Sequence, residues 1–338
     1  MISLRTPAEA QRPTAIALGS FDGLHQGHRQ VIAAMTAAAA ALGDSEPALL
    51  PTVVSFWPHP REVLHGERRL RLDLPSEKLE LLEPLGIAQL VLVPFDRALA
   101  ALTPEAFVEQ VLVGQLGARV IAVGENFRFG AARAGSAADL QALGAARGVT
   151  VRVVPMLHDA DGRHSSSRIR RALAAGDLQQ AAVLLQRPYR FCGTVVSGRG
   201  LGRQLGWPTA NLQVDGRKFL PREGVYAARA WLLDQQQPAI GAEPMAAVMN
   251  LGPQPTIDPA APSAVEVHLL DRRIELQGRQ LLVEPLAYLR EQQRFASVDA
   301  LVAQIAADAQ RARALGPGVG VGQAPDDEGG DAPKQQNP

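Results

Sequence analysis

Between Thr14 and Arg187 short apolar runs alternate with helical patterns, and after Arg187-Pro188 that alternation stops. The runs are Thr14–Gly19, Pro51–Phe56, Ile87–Val93, Ala118–Gly124 and Val149–Val154. Each is brief, aliphatic and bounded by Gly, Pro or polar residues, the pattern of buried parallel strands. Between them Ser76–Leu85 and Thr103–Leu116 read as helices. The second has Thr103 as N-cap, Pro104 at the first position and Glu105 near the positive end of the dipole. This alternation predicts an α/β unit with a doubly wound parallel sheet. Ligands in that architecture bind beyond the C-terminal ends of strands, here the turns after Gly19, Phe56 and Gly124.

Beyond Pro188 strand-like runs follow one another directly: Phe191–Ser197, Gly224–Leu233, Met245–Asn250, Ala264–Leu270 and Gln280–Leu286. Gly and Pro turns separate them, which predicts an antiparallel β-barrel or sandwich. A helix from Ser297 to Ala314, with Leu301, Ile305 and Ala309 on one stripe, closes this unit. Gly, Pro, Asp and Gln dominate after Gly316 and predict a disordered tail. The expected domains are 1–187 and 188–315, with a tail 316–338, and 338 residues suit two domains.

Charge excludes one class of partner. With 34 Lys+Arg against 34 Asp+Glu, the chain lacks the basic excess that nucleic-acid binding leans on, and no nucleic acid is expected. All but Lys78, Lys218 and Lys334 of the basic residues are Arg, which suits phosphate forks or simply reflects base composition. The single Cys192 rules out a disulfide within the chain and fits a reducing compartment. The N-terminus has no signal pattern, and Ala37–Ala41 is too short to span a bilayer. A soluble, cytoplasmic chain with no membrane partner is expected, as a monomer or weak homo-oligomer.

The first candidate site is the turn Gly19-Ser20-Phe21-Asp22-Gly23-Leu24-His25-Gln26-Gly27-His28, which follows a strand and opens a helix carried by Val31, Ile32 and Met35. Backbone N–H groups and the dipole at such a helix start favour an anion. His25 and His28 can reach one phosphate from the loop and first turn, and Gly27 permits close approach. With no nearby Cys and no H-E-x-x-H, the pair argues against zinc.

The second candidate site lies in the β unit. Gly198, Gly200, Gly202 and Gly206, with Arg199 and Arg203, form a loop that reads either as a phosphate cover or as an ordinary mobile loop. Thr209 and Asn211, two apart after Pro208, can offer hard oxygens of the kind that suit Mg²⁺. Glu266 alternates with Val265 and Val267, alongside His268 and Leu270. It reads either as part of a solvent-facing strand face or as a carboxylate at a barrel mouth, placed to accept a proton.

These residues carry a resemblance. GSFDGLHQGH, SFWPHP at Ser55–Pro60, GENFRFG at Gly124–Gly130 and SSSRIRRAL at Ser165–Leu173 occur in one order. Together they are similar to the FAD synthetase half of the bacterial bifunctional riboflavin kinase/FAD synthetase family. The stretch ending in PTAN, then Gly224-Val225-Tyr226, Asn250-Leu251-Gly252 with Pro255-Thr256, VEVHLLD at Val265–Asp271 and LREQQRF at Leu289–Phe295 resemble the kinase half.

The resemblance implies an N-terminal nucleotidyltransferase domain and a C-terminal six-stranded barrel. Riboflavin and ATP would give FMN, and FMN and ATP would then give FAD and pyrophosphate, with Mg²⁺ as cofactor. His25 and His28 would contact ATP phosphates, with Gly19, Ser20, Phe21, Asp22 and Gly23 in the same turn and Asn126 in the nucleotide site. Ser165, Ser166, Ser167, Arg168 and Arg170 would form a second phosphate loop. His59 reads either as a contact to the flavin phosphate or as a stiff structural turn, and Arg290 would lie near the flavin. Gly198, Gly202 and Arg203 would cover the kinase phosphates, Thr209 and Asn211 would hold Mg²⁺, and Glu266 would be the base.

Three positions depart from the family pattern. Ser167 stands where Thr is usual, and the hydroxyl is kept. Gln277-Gly278 replaces a Tyr before Gly, and Glu291-Gln292 occupies the place of a Glu, both expected to lie away from the Mg²⁺ and base positions. A nucleotidyltransferase for another phosphorylated acceptor is disfavoured by the PTAN-to-VEVH series. A non-catalytic flavin-binding scaffold is disfavoured because His25, His28, Thr209 and Glu266 are all present.

Overall fold

The computed structural model describes residues 2–43, 47–198, 201–234, 237–238, 243–252, 265–272 and 274–315. Arg199, Gly200, Pro255, Thr256, Ala264 and the tail expected at 316–338 lie outside the described residues.

Six strands make the first sheet: β1 (Ser3–Arg5), β2 (Thr14–Leu18), β3 (Leu50–Trp57), β4 (Gln89–Pro94), β5 (Ala118–Gly124) and β6 (Thr150–Val154). Every pairing is parallel, in the order β1-β4-β3-β2-β5-β6. Both faces are apolar because both are covered. Ile16 and Leu18 pack on one side with Phe107 and Leu112, while Ala15 and Ala17 meet Ile32 and Met35 on the other. The chain builds outward from β2 in one direction through β3 and then restarts beside it with β5. The crevice beyond β2 and β5 is therefore the topological switch point where such sheets bind ligands. The short edge strand β1 was not expected, since SLR carries no apolar run.

The segment expected to be one α-helix at Thr103–Leu116 is not. Thr103 caps it as anticipated, its hydroxyl accepting from the Ala106 N–H at 3.2 Å. From Phe107 to Gln115, however, the backbone adopts the wider π geometry. Gly114 permits this. A Cβ there would stand 3.0 Å from the Glu109 carbonyl oxygen five residues back.

The second unit is a closed antiparallel barrel of β7 (Phe191–Val196), β8 (Ala210–Gln213), β9 (Gly224–Asp234), β10 (Met245–Leu251), β11 (Val265–Leu269) and β12 (Gln280–Arg290). The strands run β9-β10-β11-β8-β7-β12 and close by pairing β12 with β9. Two features departed from the expected runs. β8 is a four-residue strand where only a loop was read, and β12 continues beyond Leu286 to Arg290. Pro285 is tolerated because the register shifts there, one of the places a strand accepts a proline.

Alternation along β11 sends Val265, Val267 and Leu269 into the barrel. Helix α1 of the barrel unit (Val298–Ala314) is capped by Ser297 and lays Ala309 and Ala312 over Val225, Leu270 and Leu289 on the outside.

One apolar core runs through both units. Leu72, Ile169 and Leu173 from the first pack into the same cluster as Tyr189, Phe191 and Leu212. A single parallel bridge between Arg71 and Lys218 ties their backbones together. Arg71 N–H donates to Arg217 O at 2.6 Å, and Phe219 N–H donates to Arg71 O at 2.7 Å. The fully buried Lys218 ammonium donates to Leu72 O at 2.6 Å and Glu77 at 2.7 Å and lies over the Tyr189 ring.

Candidate active sites

At the switch point a cleft of about 380 Å³ opens against the ends of β2 and β5. His25 caps the helix Gln26–Ala40, its Nδ1 accepting from the His28 N–H at 3.4 Å. The two imidazoles stack at 3.7 Å and 18°. Gly27 allows this, since a Cβ would stand 3.3 Å from the His25 ring. Phe21 and Leu24 take positive φ values of 46° and 42°, uncommon for side chains of their size, so the loop is held in a shape its residues do not favour.

Burial, then the like charges of His164 and Arg163, lowers His25 to about 4. Burial and the neighbouring His25 hold His28 well below the usual range. Both rings are therefore neutral at pH 7, and an arriving polyanion would draw protons toward them.

Gly19, Ser20, Phe21, His59, Asn126, Ser165, Ser166 and Ser167 line the same cleft. Ser165 caps the helix Ser166–Ala175, and Ser166 Oγ donates to Asp22 O at 2.7 Å. His59 caps the short helix Pro60–His65. Burial, together with Arg69, Arg71, Arg61 and Arg170, lowers it to about 3.

Four expected phosphate residues stand elsewhere. Asp22 is buried behind the turn, its Oδ1 accepting from the N–H groups of Leu72 at 2.8 Å and Asp73 at 3.3 Å. Its other oxygen pairs with Arg170, which also reaches Leu70 O. Gly23 packs beneath them, where a Cβ would meet Leu72 at 2.8 Å. Arg168 is held by Asp159 at 2.6 Å and Asp161 at 3.0 Å, across the hairpin 158–163. These guanidinium groups are engaged by carboxylates that pattern reading cannot pair with them.

The cleft's own basic lining comes from residues not singled out from the sequence: Arg61, Arg69, Arg128, Arg133 and Arg163. Arg128 lay inside the GENFRFG block and was the one legible signal. His164, immediately before Ser165, also lines the cleft and meets Asp159 through Nε2 at 3.0 Å.

The second site is a row across the outer face of the barrel. Asn211 on β8, Glu266 on β11 and Asn250 on β10 are successive cross-strand partners, so their side chains share one face. Glu266 is thus half-buried on the wall, not inside a barrel mouth, because its alternate neighbours fill the interior. Thr209, two residues before Asn211, is exposed just ahead of β8.

Gly198 and Gly202 hug these side chains. A Cβ on Gly198 would overlap the Asn211 amide at 1.9 Å, and one on Gly202 would lie 3.2 Å from Thr209 Oγ1. Arg203 is exposed on the short helix Leu201–Gln204. His268 turns its Nδ1 to Pro208 O at 2.6 Å and meets the Trp207 ring edge-on.

Two expectations change here. Arg290 grips the buried Asp308 of the terminal helix at 2.8 and 2.9 Å, an anchor of the helix that leaves no free fork for a ligand. Gln292 is not remote from the base position, because its Nε2 donates to Asn250 Oδ1 at 2.9 Å. Gln277 bonds Ser197 Oγ at 3.1 Å.

A phosphate-suited cleft at a parallel switch point, joined to a barrel bearing a carboxylate beside hard oxygen donors, defines a two-unit nucleotide-dependent transferase. The FAD synthetase family model matches residues 7–168 and the riboflavin kinase model residues 185–315. The bifunctional riboflavin kinase/FMN adenylyltransferase of Escherichia coli K12 is 36% identical over 305 residues, covering 90% of this chain and 93% of the relative. That of Pseudomonas fluorescens is 38% identical over 301 residues, 88% and 91% of the two chains. The chain belongs to the bifunctional riboflavin kinase/FMN adenylyltransferase family.

A solved Streptococcus pneumoniae structure described as a macrolide-efflux protein aligns with a TM-score of 0.77 at 29% identity, over 92% of this chain and 98% of that one. No described helix here is long and apolar enough to cross a membrane.

Proposed function

We propose that the two activities of the family are divided at Arg187-Pro188, with riboflavin phosphorylated on the barrel and FMN adenylylated in the cleft. The observation that carries this division is the cross-strand pair Asn211–Glu266, which shares no residue with the cleft around His25 and His28.

In the kinase step the ribityl 5′-hydroxyl attacks the γ-phosphorus of ATP, its proton passes to Glu266, and ADP leaves. Thr209 Oγ1 and the Asn211 side-chain oxygen fit Mg²⁺. They are hard donors, Gly198 and Gly202 pack against them without side chains of their own, and among the described residues no cluster of three His, Cys, Asp or Glu forms an all-protein cage. That is the setting in which Mg²⁺ is held largely by nucleotide phosphates. When bound, the ion neutralises phosphate charge. Gly198, Gly202 and Arg203 border the same place.

In the second step an FMN phosphate oxygen attacks the α-phosphorus of a second ATP and pyrophosphate leaves. His25 and His28 donate to the phosphate oxygens as charge develops, and Asn126 and Ser165–Ser167 orient the nucleotide. Incubation with riboflavin and Mg-ATP, followed chromatographically, tests the reading. FMN should rise first and FAD follow; FAD without transient FMN, or neither product, would refute it.

A further inference from the structure

Two buried donors from different elements meet on one carbonyl of the loop that leads into the histidines. Lys78, on the helix Pro75–Leu82, is buried, and among the described residues its ammonium makes one hydrogen bond, to Ser20 O at 3.1 Å. Ser55 Oγ, from β3, donates to the same oxygen at 3.1 Å. A carbonyl oxygen has two lone pairs, so both are taken.

Ser20 and Phe21 line the cleft, whereas Lys78 and Ser55 are buried away from it. In a trans peptide the C=O and N–H point in opposite directions. Drawing the Ser20 carbonyl back to Lys78 and Ser55 therefore turns the Phe21 N–H toward the cleft. That N–H has no acceptor among the described residues, although Phe21 is fully buried. A buried backbone donor left unpaired calls for an acceptor, and a phosphate oxygen arriving in the cleft is one.

We infer that Lys78 and Ser55 are positioning residues for the nucleotide phosphates, holding the Ser20 carbonyl out of the cleft so that the Phe21 N–H faces into it. The peptide needs holding because Phe21 has a φ of 46°. Rotating the peptide plane to bring Phe21 back to negative φ would swing the carbonyl oxygen into the cleft, where it repels an anion. Burial lowers the Lys78 pKa from the ordinary lysine value, while Asp22 and Asp73 oppose that shift. Lys78 also helps to keep His28 neutral. Ser55 carries no charge, so its removal tests the carbonyl contact by itself. The inference rests on ATP being bound in this cleft, so His28→Ala is run in parallel.

The experiment measures FAD formation from supplied FMN by the full chain carrying Ser55→Ala, Lys78→Met or His28→Ala, with riboflavin phosphorylation as the check on folding. Ser55→Ala should raise KM for ATP about three- to tenfold, the loss of one neutral hydrogen bond. Lys78→Met should raise it about ten- to a hundredfold, the loss of a charged donor. KM for FMN should stay parental in both. Parental KM for ATP in Ser55→Ala, or an equal rise in KM for FMN, with His28→Ala inactive, would overturn the positioning role alone. Should Lys78→Met lose both activities through misfolding, Ser55→Ala decides. A fully active His28→Ala would overturn the reading of the cleft and the positioning role together.

Discussion

The two sites solve the binding of phosphate in opposite ways. In the cleft the chemistry-bearing rings are buried, stacked and neutral, the surrounding loop is conformationally forced, and charge is supplied by a ring of Arg side chains. On the barrel the donors stand in a half-exposed row along ordinary strands. The first site is prebuilt, and its rings answer to charge brought by the ligand. The second takes its geometry from strand register. Burial shifts pKa values at one; cross-strand pairing sets positions at the other.

The comparison breaks most decisively through Glu266→Ala. Loss of a general base should cut FMN formation about 10²- to 10⁴-fold while FAD formation from supplied FMN persists. A joint fall of both activities in folded protein would mean the sites are not separate. His28→Ala should act reciprocally, lowering FAD formation about 10²- to 10³-fold and sparing riboflavin phosphorylation, both read in the same assay.

Lys218→Met addresses what the sites share. Removing a buried ammonium that satisfies Glu77 and Leu72 O should cost about 3 kcal/mol in denaturant unfolding, in a single transition. Two separated transitions would show that the units fold independently.

The smallest effect concerns pH. His25 and His59 sit at about 4 and about 3 in the folded chain, below the ordinary value near 6.5. Below pH 6.5 the unfolded chain therefore binds protons at these two rings that the folded one does not, so they lower stability as pH drops from about 6.5 toward 4 and contribute no pH dependence above that range. The thermal midpoint should decline across that window, and His25→Asn should flatten the decline. An equally steep decline in the variant would remove His25 from it.

What could be read from the sequence follows the same contrast. The strand ends before Gly19, Phe56 and Gly124 were legible because buried parallel strands are continuous apolar runs, and the H-x-G-H helix start lay beside one of them. The fates of Arg168 and Arg170 were not legible, because Asp159, Asp161 and Asp22 reach them only through the fold. β8 was hidden by its brevity behind Pro208. The six-stranded barrel expected by resemblance is present. The bond from Gln292 to Asn250 depends on where a strand end lies relative to its neighbour two strands away, which no local pattern records.

The bridge between Arg71 and Lys218 bears on how freely such halves can be exchanged. The segment Arg71–Asp73 is at once the strand partner of the barrel turn and the donor of the backbone N–H groups that Asp22 accepts at the edge of the cleft. A barrel transplanted from a relative at Pro188 would have to bring matched residues at 189, 217, 218 and 219, or the clamp behind the histidines would lose its backing. The junction that sequence marks only as a domain boundary is, in the language of assembly, a keyed joint.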